Sequence, residues 1–316
     1  MPKTDLIVRE NLTLSNRNRI RSAKEKSTSS CGSTTVLLIA LSLAAVIGCG
    51  DESKGPTVDV KPSFNIETEP SLSFDREFVY FIGNDEDDSA RSGIYRARVT
   101  EPVREFLLSG TDLHSPTVSP DNSTVAYLKG ERVHFLRLSD GKDVPATINA
   151  VFESLLWVND TSLIGSRDDM LYLVDQGGRT STLLRSGWDP SLISTNEIAA
   201  FIPSLEGTYL AISFDPRFMQ SSSLFVIQAS SRPHWPSVDT SMANMAFSVT
   251  ENDSHQIHLV QQPVMGSKVI AVSSRHPKAL LIDLQTILFT GPDGRLYRTN
   301  MNGSQTDPFW YVDGPQ

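Results

Sequence analysis

Residues 115–128, SPTVSPDNSTVAYL, decide the fold. The stretch opens on Ser115-Pro116-Thr117-Val118, turns through Pro120-Asp121-Asn122 and resumes as Thr124-Val125-Ala126-Tyr127-Leu128. Short β-branched and aromatic runs bounded by Pro, Asp and Asn read as strands joined by a tight turn. Working outward, Lys129-Gly130-Glu131 turns the chain into 133–138, and Ser139-Asp140-Gly141 turns it again toward a weak strand near 145–148. Asp-Gly turns suit hairpins because their residues tolerate positive φ. The unit is four short antiparallel strands.

The unit recurs. From Pro116, Val125 lies nine positions on and Tyr127 eleven on. The same ruler fits Pro70 with Val79 and Phe81, Pro190 with Ala199 and Phe201, and Pro236 with Met245 and Phe247. Weaker copies start at Glu153-Ser154-Leu155, reaching Ser162 and Ile164, and at Lys278-Ala279-Leu280, reaching Ile287 and Phe289. The starts at 70, 116, 153, 190, 236 and 278 are separated by 46, 37, 37, 46 and 42 residues. Periods near 40 residues with several strands each are the mark of propeller blades. The predicted fold is all-β: a β-propeller of four-stranded antiparallel blades, six of them, with seven as the alternative count. The residue at position eleven is expected to fill the wedge between neighbouring sheets, since no blade covers both its faces alone.

Ser119-Pro120-Asp121-Asn122-Ser123-Thr124-Val125-Ala126-Tyr127 resembles the S-P-D-G-x-x-[IV]-A-[FY] repeat of TolB-type, WD40-like propellers. Gly207-Thr208-Tyr209-Leu210-Ala211-Ile212-Ser213 resembles the tail of that repeat, and the stretch from Gly294 to Ser304 resembles the unit of six-bladed YWTD propellers. The resemblance implies a periplasmic docking platform.

Ahead of the repeats, residues 34–51 read TTVLLIALSLAAVIGCGD. A basic segment, an apolar run from Val36 to Ile47 and a small residue before Cys49 follow the order of a secretory signal, and the run is shorter than the ~20 residues that span a bilayer. Val46-Ile47-Gly48-Cys49 resembles the lipobox of bacterial lipoproteins, which implies cleavage after Gly48 and lipidation of Cys49. The expected organisation is a signal peptide over 1–48, a lipidated tether over 49–65 and a propeller over 66–316. The expected membrane partner is the lipid bilayer, reached through Cys49. With Gly50 rather than Asp after the cysteine, the expected location is the outer membrane facing the periplasm.

The cysteines are Cys31 and Cys49, so after cleavage no disulfide can staple the domain and no cysteine-ligated metal centre can form. The whole chain carries −9, and removing the basic leader leaves about −13. An acidic domain does not seek nucleic acid. No serine elbow, H-E-x-x-H, Walker loop or dinucleotide fingerprint occurs. His255 and His258 are three apart on a predicted strand and so on opposite faces, and the acidic loop 84–88 lacks spaced calcium-loop order. No catalytic residue, cofactor or metal is therefore expected. The candidate binding surface is Asp215, Arg217 and Phe218 with His234 and Trp235, because exposed aromatic and arginine side chains anchor interfaces. The expected function is a membrane-anchored, non-catalytic platform for an envelope protein. A propeller hydrolase or lyase acting on peptide or glycan, or a glycan-binding propeller, is the alternative.

Overall fold

The computed structural model describes residues 66–101, 103–263, 266–273, 278–309 and 312–313. Gly48, Cys49, the tether and His276 lie outside the described residues. Six antiparallel sheets follow one another along the chain. Blade one comprises Ile66–Leu72, Phe78–Asn84, Gly93–Arg98 and Val103–Ser109. Blade two comprises Leu113–Val118, Thr124–Lys129, Arg132–Arg137 and Lys142–Pro145. Blade three runs Ser154–Asn159, Ser162–Arg167, Met170–Asp175 and Ser181–Ser186. Blade four runs Trp188–Ser194, Glu197–Pro203, Thr208–Phe214 and Ser221–Gln228. Blade five holds His234–Val238, Asn244–Glu251, Ser254–Gln261 and Ser267–Ser273. Blade six holds Ala279–Leu281, Thr286–Thr290, Leu296–Asn300 and Thr306–Pro308. The protein is a six-bladed β-propeller. Among the described residues the one helical element is the 3-10 turn Ser89–Arg91.

The first strand of every blade touches the first strand of the next, so six strands surround a central channel. Closure returns blade six to blade one. Glu67 donates its N–H to the Gly294 carbonyl at 2.6 Å, and its carboxylate accepts from the Leu296 N–H at 2.9 Å. Val312–Asp313 adds a parallel strand to the outer edge of blade one at Val103 and Arg104.

The core is six wedges rather than one centre. Each of six apolar clusters joins one pair of adjacent blades, the closing pair included. All six ruler residues are buried in them: Phe81, Tyr127, Ile164, Phe201, Phe247 and Phe289 are each at most 2% exposed. Four of them face the preceding blade, whereas Ile164 and Phe201 face the following one. The cause is turn length. Blades three and four close their first hairpin tightly, Asn159 pairing with Ser162 and Ser194 with Glu197. In blades one, two and five the closing pairs are Leu72 with Val79, Val118 with Val125 and Val238 with Met245. A one-residue change in register sends a side chain to the other face.

Strand placement in blade two follows the sequence with one shift. The fourth strand is Lys142–Pro145, beginning directly after the turn whose Gly141 has φ 65°, and Pro145 ends it instead of starting it. Proline cannot extend a ladder that needs its N–H.

Candidate binding site

Four of the six first strands carry the same irregularity. Glu69, Ser115, Asp189 and Trp235 have φ of 53°, 50°, 49° and 51°, and each precedes a proline. Ladder register breaks at each of these places. Positive φ is costly for a side chain larger than glycine, and bulges of this kind re-aim side chains. In blades one and four they turn an acid toward the next blade. Glu69 of blade one accepts from His114 Nδ1 of blade two at 3.1 Å, and from the Ser115 N–H. Asp189 of blade four accepts from His234 Nδ1 of blade five at 2.8 Å, and from the Trp235 N–H at 3.3 Å.

The two pairs are copies at an offset of 120 residues, Glu69 to Asp189 and His114 to His234. Blades one to three and blades four to six are thus two similar half-rings, and the pairs face each other across the channel. Lys278 of blade six stands within electrostatic reach of both carboxylates. Burial pushes its ammonium below the ordinary lysine value, while Glu69 and Asp189 pull the other way. Burial also opposes ionisation of Glu69. The bonds from His114 and Ser115, with the charges of Lys278 and His114, outweigh that and hold its carboxyl below the usual value. The same bond raises the His114 pKa against its own burial.

The sequence-expected surface divides into two parts. His234 and Trp235 lie on the first strand of blade five, beside the acid–histidine pair. Asp215, Arg217 and Phe218 lie on the loop after the third strand of blade four, at the opposite end of the sheet. There Arg217 pairs with Asp215 at 2.6 Å and its guanidinium lies 5.2 Å from the Phe218 ring centroid. Phe218 is 68% exposed. At the His234 end, Arg232 stacks 4.2 Å from Trp188 and pairs with Asp169 at 2.5 Å, so it braces blade four against its neighbours.

Glu69, His114, Asp189 and Lys278 were not singled out in the sequence. The ruler held their signal: the acid stands directly before the proline in units one and four, and the histidine two before it in units two and five. The other polar clusters have local roles. Asp85 accepts from the N–H groups of Asp87 and Asp88 within the acidic loop. His255 bonds Thr250, and His258 bonds Ser267 and Gln256. Among the described residues no group of three or more His, Cys, Asp or Glu side chains is placed to hold a metal ion.

A closed ring of six similar sheets with a polar channel can be set beside known proteins. In fold, it is similar to TolB. TolB from Acinetobacter baumannii matches with a TM-score of 0.50 and 15% identity, over 62% of this chain and 52% of that one. The present chain therefore spans about half the length of that TolB. A chain of a nidogen/laminin complex matches with a TM-score of 0.51 and 10% identity, over 76% of this chain and 91% of that one. Oligogalacturonate lyase from Vibrio parahaemolyticus gives 0.49 and 9%, over 73% and 75%. At these identities the likeness establishes the fold alone. No protein-family model and no curated protein matches the sequence.

Proposed function

We propose that this chain is a membrane-anchored extracytoplasmic lipoprotein whose propeller docks an envelope protein on the channel face formed by Glu69, His114, Asp189, His234 and Trp235. The observation that carries the reading is the pair of acid–histidine bridges. They fix charged and aromatic side chains on rigid strands around one channel, as a binding face requires. The TolB-like repeats support it. The basic leader, the apolar run and Gly48-Cys49 support lipid anchoring. The exposed Phe218 supports the Arg217–Phe218 loop at the other end as a second contact surface.

A hydrolase or lyase is the second reading, favoured by Lys278 between two carboxylate–histidine pairs. The test is cross-linking in envelope extract with the full chain and its Trp235→Ala variant. A partner captured by the wild type and lost in Trp235→Ala supports docking. Turnover of a peptide or glycan library with no captured partner reverses the order of the two readings. For the anchor, Cys49→Ala abolishes palmitate labelling, and unchanged labelling defeats the assignment.

A further inference from the structure

The channel widens inside the ring into a cavity of about 260 Å³, near the lower end of the ~300–1,000 Å³ usual for small-ligand sites. Much of its wall is aliphatic, with Leu72 and Leu192 on facing blades. The charged side chains lining it are Arg76 and Lys278; no Asp or Glu does so. Arg76 is committed, since Nη1 donates to the carbonyls of Leu281 and Ile282 at 3.3 and 3.1 Å. Lys278 makes no hydrogen bond or ion pair among the described residues. Glu69 and Asp189 act on it through space, while their oxygens are held by the histidine and N–H of the following blade.

A second observation is independent of the lysine. The hydroxyls of Ser71 and Ser191 are buried without a hydrogen-bond partner, and both residues line the cavity. They occupy the same position in the two half-rings, 120 residues apart. Their counterparts in blades two and five are satisfied: Thr117 accepts from the Trp157 N–H at 3.2 Å and Ser237 from the Leu281 N–H at 2.9 Å. Orphaned buried hydroxyls are costly, and two at symmetric positions in one cavity point to a common occupant.

We propose that the cavity binds a small aliphatic carboxylate, with Lys278 Nζ and the Ser71 and Ser191 hydroxyls donating to its oxygens and its apolar tail against Leu72 and Leu192. All three unused groups can donate, and the Lys278 ammonium can do nothing else, so the occupant must accept at least there. A carboxylate offers about four lone-pair sites on two oxygens. The lining charge left without a bonded partner is positive, which selects an anion over a neutral carbonyl compound. An anion beside Lys278 also offsets the burial that depresses its pKa. The inference does not rest on the docking reading.

Isothermal titration of the purified full chain tests this, with acetate and butyrate as probes and butyramide as the neutral comparison. Butyrate should saturate one site per chain and bind at least about tenfold more tightly than butyramide. Lys278→Met should remove that preference, and Ser71→Ala with Ser191→Ala should weaken butyrate about tenfold, with thermal unfolding of the variants checked alongside. Absence of saturable binding by either acid would overturn the proposal and leave a channel filled by water. Equal binding of butyrate and butyramide by the wild type would do the same, and this comparison needs no variant to fold. Unchanged butyrate binding in a folded Lys278→Met protein would also overturn it.

Discussion

Glu67 is a carboxyl buried where blade six meets blade one, 4.0 Å from Arg104. Burial pushes its pKa up to about 7, against the bond from Leu296 and the charges of Arg104 and Arg295. The unfolded chain releases this proton near pH 4.5. Between those values the native state holds a proton that the unfolded state lacks. Its stabilising contribution is therefore complete below pH 4.5 and is lost as pH rises through about 7, a change of roughly 3 kcal/mol. Urea midpoints measured from pH 5 to pH 8 should fall for the wild type, and Glu67→Gln should flatten that slope. An identical slope in both proteins would show that Glu67 is not the titrating group. The acids at the channel allow a sharper test. Glu69→Gln and Asp189→Asn should each cost about 1–2 kcal/mol by weakening bonds to the next blade. They lie on opposite blades, yet both act on Lys278. Groups that share a partner couple by about 0.5–3 kcal/mol. The double variant should thus lose less than the sum of the single losses, because Lys278, whose charge burial already opposes, sheds its proton once both negative neighbours are gone and so caps the cost. Simple additivity in the double-mutant cycle would mean that Lys278 does not give up its proton in response.

At the scale of the strand, the wedge residues and the loop residues separate cleanly. Phe247 is 1% exposed between blades four and five, while Phe218 is 68% exposed on a connection. Phe247→Ala should cost roughly 3–5 kcal/mol, whereas Phe218→Ala should stay within about 0.5 kcal/mol. Equal urea midpoints for the two would defeat the wedge account. The same contrast explains what the sequence made legible. A strand that must cover a neighbouring sheet repeats its apolar residues at a set distance, so Phe81, Tyr127 and Phe289 could be placed without coordinates. Facing was not legible for Ile164 and Phe201, because it hangs on tight turns at 160–161 and 195–196 that the ruler does not measure. The channel residues were written in the sequence but not readable as a set. Glu69 and His114 are 45 apart, and nothing in the spacing says that a left-handed residue before proline turns the acid toward the next blade. Lys278 was legible only as the start of an irregular unit.

For the whole ring, one interface differs from the rest. Five pairs of adjacent blades are consecutive in the chain, but blade six meets blade one only through contacts formed on closure. Those contacts include the buried Phe309, which packs with Phe81 and Leu280 and donates its N–H to the Leu296 carbonyl at 2.8 Å. The Val312–Asp313 strand then crosses onto blade one. A propeller distributes its core over wedges, so opening one wedge exposes two blade faces at once and removes the partner of each. Ending the chain after Pro308 should lower stability by roughly 3–5 kcal/mol, the cost of losing a buried Phe. Ending it after Phe309 removes, of the described residues, only the added strand Val312–Asp313 and should cost about 1 kcal/mol, the net worth of a hydrogen bond or two. Urea unfolding of both shortened chains should remain a single transition. Amide exchange in Val103–Ser109 should quicken in both, because each uncovers that edge. A chain ending at Pro308 with the wild-type midpoint would mean that the closing wedge is not what holds the ring.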